Sequence, residues 1–130
     1  AQNALWVQSA DVTTKVTGAS LHEIYGEIDR LRKEAPQEKE VQGIQNAMTG
    51  TFVLRNSSVQ GILNLLRFVQ LQGLPANSID TYIPRVYAVK PADIQAAAEK
   101  YINPSKMTVV VVGDKATVES QVAPYLPKEQ

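Results

Sequence analysis

His22 is the only histidine in the chain, and it stands beside Glu23 with Glu27 five residues on, in the string SLHEIYGEID. Imidazole and carboxylate invite a metal reading, because both are common zinc ligands. Helical zinc motifs set two ligands four residues apart on one face, whereas a five-residue step turns about 140° away from the starting direction. With no second histidine and no cysteine, His22 reads as a surface residue of a helix rather than as a ligand. A serine triad has no local support either, since no G-x-S-x-G elbow occurs and the single histidine sits in a helical pattern. Asp114 ends the string MTVVVVGD, where a buried strand would deliver a carboxylate at its carboxyl end, a place many α/β sites use. Its simpler role is to cap the helix that follows.

Tyr82, Arg85 and Tyr87 around Pro84 have the types that line a binding groove, although aromatics at helical spacing more often belong to a core. Gly43, Gly50 and Gly61 are scattered singly through helical patterns and form no phosphate cradle; they are expected to let helices pack closely. The basic string Arg30, Leu31, Arg32, Lys33 runs straight into Glu34, Glu38 and Glu40, which makes it a mixed, solvated face. No residue is therefore assigned a catalytic, cofactor-binding or metal-ligating role from these patterns.

The elements that must position such residues emerge from periodicity. Ala4 to Val12 alternates at a period of two and reads as a strand. From Thr14 the period changes: Leu21, Ile24, Tyr25, Ile28 and Leu31 form one helical stripe, with Thr14 or Thr17 available as the cap. Ala35 and Pro36 interrupt it, and Glu38 and Glu40 open a second helix whose inner stripe is Val41, Ile44, Met48 and Phe52. A third helix spans about Ser57 to Gln72, apolar around most of its circumference and so expected to be central. Gly73 and Pro75 end it. A short fourth helix holds Ile79, Tyr82, Ile83 and Val86, with Pro84 expected to bend or end it. Pro91 starts a fifth helix that runs through Ile94, Ala97, Ala98 and Tyr101 and stops at Asn103 and Pro104. Met107 to Val112 reads as a strand buried on both faces, and Val118, Val122 and Tyr125 mark a last short helix.

The expected architecture is thus α+β, a single domain over residues 1–130 with helices packed on a small sheet. Two strands at opposite ends of the chain make at most a two-stranded sheet, which is marginal alone. The sheet is expected to be incomplete, its neighbours supplied either from outside this sequence or across a homodimer interface between strand edges.

Thirteen Lys and Arg balance thirteen Asp and Glu in 130 residues, so no field gathers phosphates and nucleic acid is not an expected partner. Hydrophobic residues at 44% and charged residues at 20% are globular values and exclude wholesale disorder. The absence of cysteine removes disulfide scaffolds, thiolate metal sites and cysteine nucleophiles together. No apolar run is long enough to span a bilayer, and the first residue, an alanine, suggests a processed chain or an excised piece.

The order of parts also carries a resemblance. A strand, a helix leading into LRKEAPQEKEVQGIQNAMTGTF, and then AVKPADIQAAAEKYINPSKMTVVVVGD over Ala88 to Asp114 resemble the C-terminal half of the insulinase-like M16 zinc peptidases, the group of pitrilysin and the mitochondrial processing peptidase. The likeness covers about Leu5 to Leu126, and Lys90 and Pro91 depart from it where a Thr-containing pair is common. The resemblance implies two similar α+β halves closing around a peptide. The zinc, with its H-x-x-E-H motif and distal Glu, belongs to the other half, so no cofactor is expected in this chain. The Arg and Tyr with which such C-terminal halves grip substrate precede the matched region, so no site residue carries over. The implied role is that of a non-catalytic segment walling the peptide chamber, with the zinc-bearing half and a peptide as partners. The catalytically silent members, structural or peptide-binding, are the alternative within the family, and an unrelated α+β module holding a small ligand near Tyr82 and Tyr87 is the alternative outside it. The bacterial periplasm is the compartment such relatives suggest.

Overall fold

The structure is a computed structural model and describes residues 5–126. Six α-helices follow one another: α1 (Thr17–Lys33), α2 (Glu38–Arg55), α3 (Val59–Leu71), α4 (Tyr82–Ala88), α5 (Pro91–Tyr101) and α6 (Lys115–Val122). Short 3₁₀ turns at Thr14–Val16, Ala76–Ser78, Pro104–Lys106 and Ala123–Tyr125 join or extend them.

No β-strand occurs among the described residues, so the expected α+β fold is corrected to an all-helical one. The strand expected from Ala4 begins outside the described residues, and the rest of it, Leu5 to Val12, is exposed chain in no regular element. Met107 to Val112 belongs to no ladder, yet it keeps a two-residue alternation: Met107, Val109 and Val111 are half-buried while Val110 is 80% and Val112 95% exposed. The physical reason is that a strand's N–H and C=O groups are satisfied only by a neighbouring strand, which alternation in one segment cannot provide.

The described residues divide into two compact units, one of residues up to Arg30 together with those from Ile102 onward, the other Leu31 to Tyr101. In the first, the start of α1 meets α6. Gln121 Oε1 accepts from the Gly18 N–H at 3.0 Å, and its Nε2 donates to the carbonyls of Thr14 (3.1 Å) and Thr117 (2.8 Å). Gly18 N–H is one of the donors a helix start leaves without an intrahelical partner, so Gln121 serves as a cap from the far end of the sequence. The Thr17 hydroxyl donates to the Thr14 carbonyl, and the Tyr25 and Tyr125 rings stack at 5.3 Å. Ile28, Val118 and Val122 are buried.

In the second unit most helix ends are set by local signals, but the fourth helix begins later than expected, at Tyr82, and Ile79, placed inside it from the sequence, lies in the turn before it. Gln37 and Glu40 form a capping box at the start of α2. The Ser58 hydroxyl accepts from the Gly61 N–H at 3.1 Å and caps α3. Gly73, at φ +60°, closes α3 with a Schellman motif: the Leu74 N–H reaches the Val69 carbonyl and the Gly73 N–H that of Gln70. Pro91 opens α5, with the Asp93 carboxylate accepting from the Lys90 N–H. Pro84 does not end α4, because it falls in the first turn, where a missing N–H leaves no intrahelical bond unmade.

Two packing expectations are corrected. No α3 residue is buried: Val59 is 77% and Leu71 71% exposed, so α3 is not central. Of the three helical glycines expected to allow close packing, only Gly61 does so. A Cβ there would lie 2.0 Å from the Arg55 carbonyl oxygen, whereas one at Gly43 or Gly50 would meet nothing within 4 Å.

Candidate functional site

The residues singled out for chemistry do not come together. His22 and Glu23 lie exposed on α1, and Glu27 pairs with Arg30 on the same helix. Asp114 stands at the N-cap position of α6, where its carboxylate accepts from the Thr117 hydroxyl and its carbonyl from the N–H groups of Thr117 and Val118. It therefore occupies the N-cap position through its backbone carbonyl, while its carboxylate makes no capping bond to a helix N–H. No group of three His, Cys, Asp or Glu among the described residues is placed to hold a metal ion.

Tyr82, Arg85 and Tyr87 all lie on α4 and face different surroundings. Tyr87 turns its hydroxyl to α2, donating to Asn46 Oδ1 at 3.0 Å and lying 3.1 Å from the Thr49 hydroxyl. Gln45 Nε2 donates to the carbonyls of Val86 (3.1 Å) and Val89 (2.9 Å), so one α2 side chain holds the end of α4. Arg85 is exposed. Tyr82 packs inward, its ring stacked on Phe52 at 4.3 Å between centroids and 24° between planes. A stacked aromatic pair adds to what burial alone contributes.

That stack forms one wall of a cleft of about 720 Å³ between α2, α3 and α4, in the Leu31 to Tyr101 unit. Met48, Phe52, Leu65 and Tyr82 make its apolar surface, and Thr51, Arg55, Asn56 and Asn64 its polar one. The floor exists because Gly61 lets the start of α3 cross against the end of α2. Asn56 is already engaged, its Nδ2 donating to the Phe52 carbonyl at 2.7 Å. Asn64 Oδ1 accepts from Gln60 Nε2, which leaves the Asn64 amide donors unused.

Of this cleft, sequence reasoning named Tyr82, and it placed Met48 and Phe52 on the inner stripe of α2. Arg55 and Asn64 were missed. A signal for Arg55 was present: it is the one charged residue between Glu40 and Arg67. Nothing in the pattern distinguishes Asn64 from an ordinary solvated position.

Among the described residues no helix is long and apolar enough to cross a membrane. In comparisons with known proteins, no family model, curated protein or solved structure matches this chain.

Proposed function

We propose that this chain is a non-catalytic segment of an insulinase-like zinc metalloendopeptidase, walling the peptide chamber and docking on the zinc-bearing half. The observation that carries the proposal is how little of the chain covers itself. Only five hydrophobic residues are buried among those described, while Leu54, Val59, Leu63 and Leu71 are exposed. Apolar surface on this scale marks a protein interaction face.

The Ala88 to Asp114 sequence suggests which protein supplies the cover. The proposal rests on that sequence and on the uncovered surface, not on a sheet, of which the described residues contain none. No chemical step is assigned to this chain. Its contribution is to exclude water from the chamber and to hold the peptide-facing wall in place.

The test begins with the purified chain. It should hold no stoichiometric zinc and cleave no unstructured peptide in a chelator-sensitive way. The H-x-x-E-H half, read from the parent gene or a neighbouring reading frame, should form a one-to-one complex with it, and only that complex should cleave. Zinc-dependent cleavage by the chain alone would overturn the proposal. So would the absence of any H-x-x-E-H sequence in those frames, which would leave the catalytically silent homologue in its place.

A further inference from the structure

We propose that the cleft between α2 and α3 binds a molecule with an apolar body and a terminal carboxylate, the body against Phe52, Tyr82 and Leu65 and the carboxylate on Arg55. The inference does not depend on the peptidase reading. The size, about 720 Å³, lies within the range of small-molecule sites. The walls are set before any ligand arrives: Gln45, Asn46 and Thr49 tie α4 to α2, and the Phe52–Tyr82 stack is already made. A preformed apolar site spares a ligand the cost of ordering it.

Charge selects the ligand's other end. Arg55 is the only charged residue lining the cleft, no Asp or Glu lines it, and Arg55 makes no ion pair among the described residues. A guanidinium presents a planar fork that matches a carboxylate with two parallel hydrogen bonds. The Asn64 amide, its oxygen already occupied by Gln60, adds a neutral donor to the same lining. A cation would meet repulsion and no counter-charge. A dianionic phosphate would find one cation where such groups are usually held by several charges or by a nest of backbone N–H groups. One cation, neutral donors and an aromatic wall fit a monoanionic apolar acid.

Such a carboxylate comes either from a free fatty or aromatic acid or from the C-terminus of an apolar peptide. The probes are decanoate, with decanol as its uncharged partner, and acetyl-Leu-Leu-Phe with a free or an amidated C-terminus. Binding to the full chain is followed by titration calorimetry and by amide shifts in two-dimensional NMR. Saturable one-to-one binding of at least one acid is expected, with shifts centred on Met48, Arg55, Gly61, Leu65 and Tyr82. The uncharged partner of that acid should bind at least about tenfold more weakly, and R55Q should lose about tenfold as well. Whichever acid binds more tightly identifies the source. L65W, which fills the cleft and keeps Arg55, should abolish binding and serves as the reading should R55Q fail to fold. The proposal is overturned if neither acid saturates below about 5 mM, if decanol equals decanoate and the amide equals the free peptide, or if L65W binds as the parent does.

Discussion

Replacing Gly61 by alanine sets two effects of opposite sign against each other. Alanine is the better helix former by about 1 kcal/mol, and Gly61 lies in the first turn of α3. Against this, the new Cβ would sit 2.0 Å from the Arg55 carbonyl oxygen, 3.0 Å from its carbon and 3.2 Å from Asn56 Cα. An ordinary carbon–oxygen contact is about 3.3 Å, so α3 must move by about 1.3 Å at its start. All three opposing atoms are backbone, which leaves no side chain to swing aside. Overpacking of this kind costs about 1–3 kcal/mol, and the shift also pulls the Gly61 N–H from the Ser58 hydroxyl, a cap worth about 1 kcal/mol. Destabilisation should win by about 1–3 kcal/mol. At about 4 °C per kcal/mol for a chain of this size, Tm should fall by about 4–12 °C. Gly50→Ala is the control, since Gly50 is an exposed α2 residue with nothing within 4 Å of an added Cβ. It should raise Tm by about 2–4 °C through propensity alone. Thermal and urea unfolding followed by far-ultraviolet circular dichroism would read both variants. A G61A protein as stable as the parent, or shifted in the same direction as G50A, would refute the close crossing of α2 and α3.

Gln121→Ala removes an acceptor for the Gly18 N–H and a donor to two carbonyls, and should cost about 1–3 kcal/mol in urea unfolding; a loss below about 0.3 kcal/mol would mean that water serves these groups equally well. The uncovered apolar faces should drive self-association of the isolated chain, visible in sedimentation as dimers or larger species. Val59→Lys with Leu63→Lys should raise the monomer fraction, and a parent chain that stays a clean monomer at high concentration would contradict the interaction-face reading.

The helices were legible because their instructions are local. Pro36 separates α1 from α2, Gly73 and Pro75 end α3, Pro91 starts α5, and Asn103 and Pro104 stop it, each within a turn of where the structure places it. The candidate site was legible in part. Tyr82, Met48 and Phe52 were marked by spacing, but that Arg55 lines a cleft with them depends on α3 crossing α2 at Gly61. The three glycines are alike in sequence context, and only their neighbours in space separate Gly61 from Gly43 and Gly50.

The sequence by itself marked most of the helix boundaries, because a helix satisfies its backbone within one segment, although α4 begins at Tyr82 and leaves Ile79 outside it. Tertiary structure alone decided whether the two-residue alternation of Met107 to Val112 became a strand, which faces of α3 were covered, and that Gln121 caps a helix more than a hundred residues away. Each of these depends on a partner distant in the chain. A valine run encodes a preference for extended backbone, but only a neighbour can accept its hydrogen bonds, and only packing decides which apolar side chains leave water.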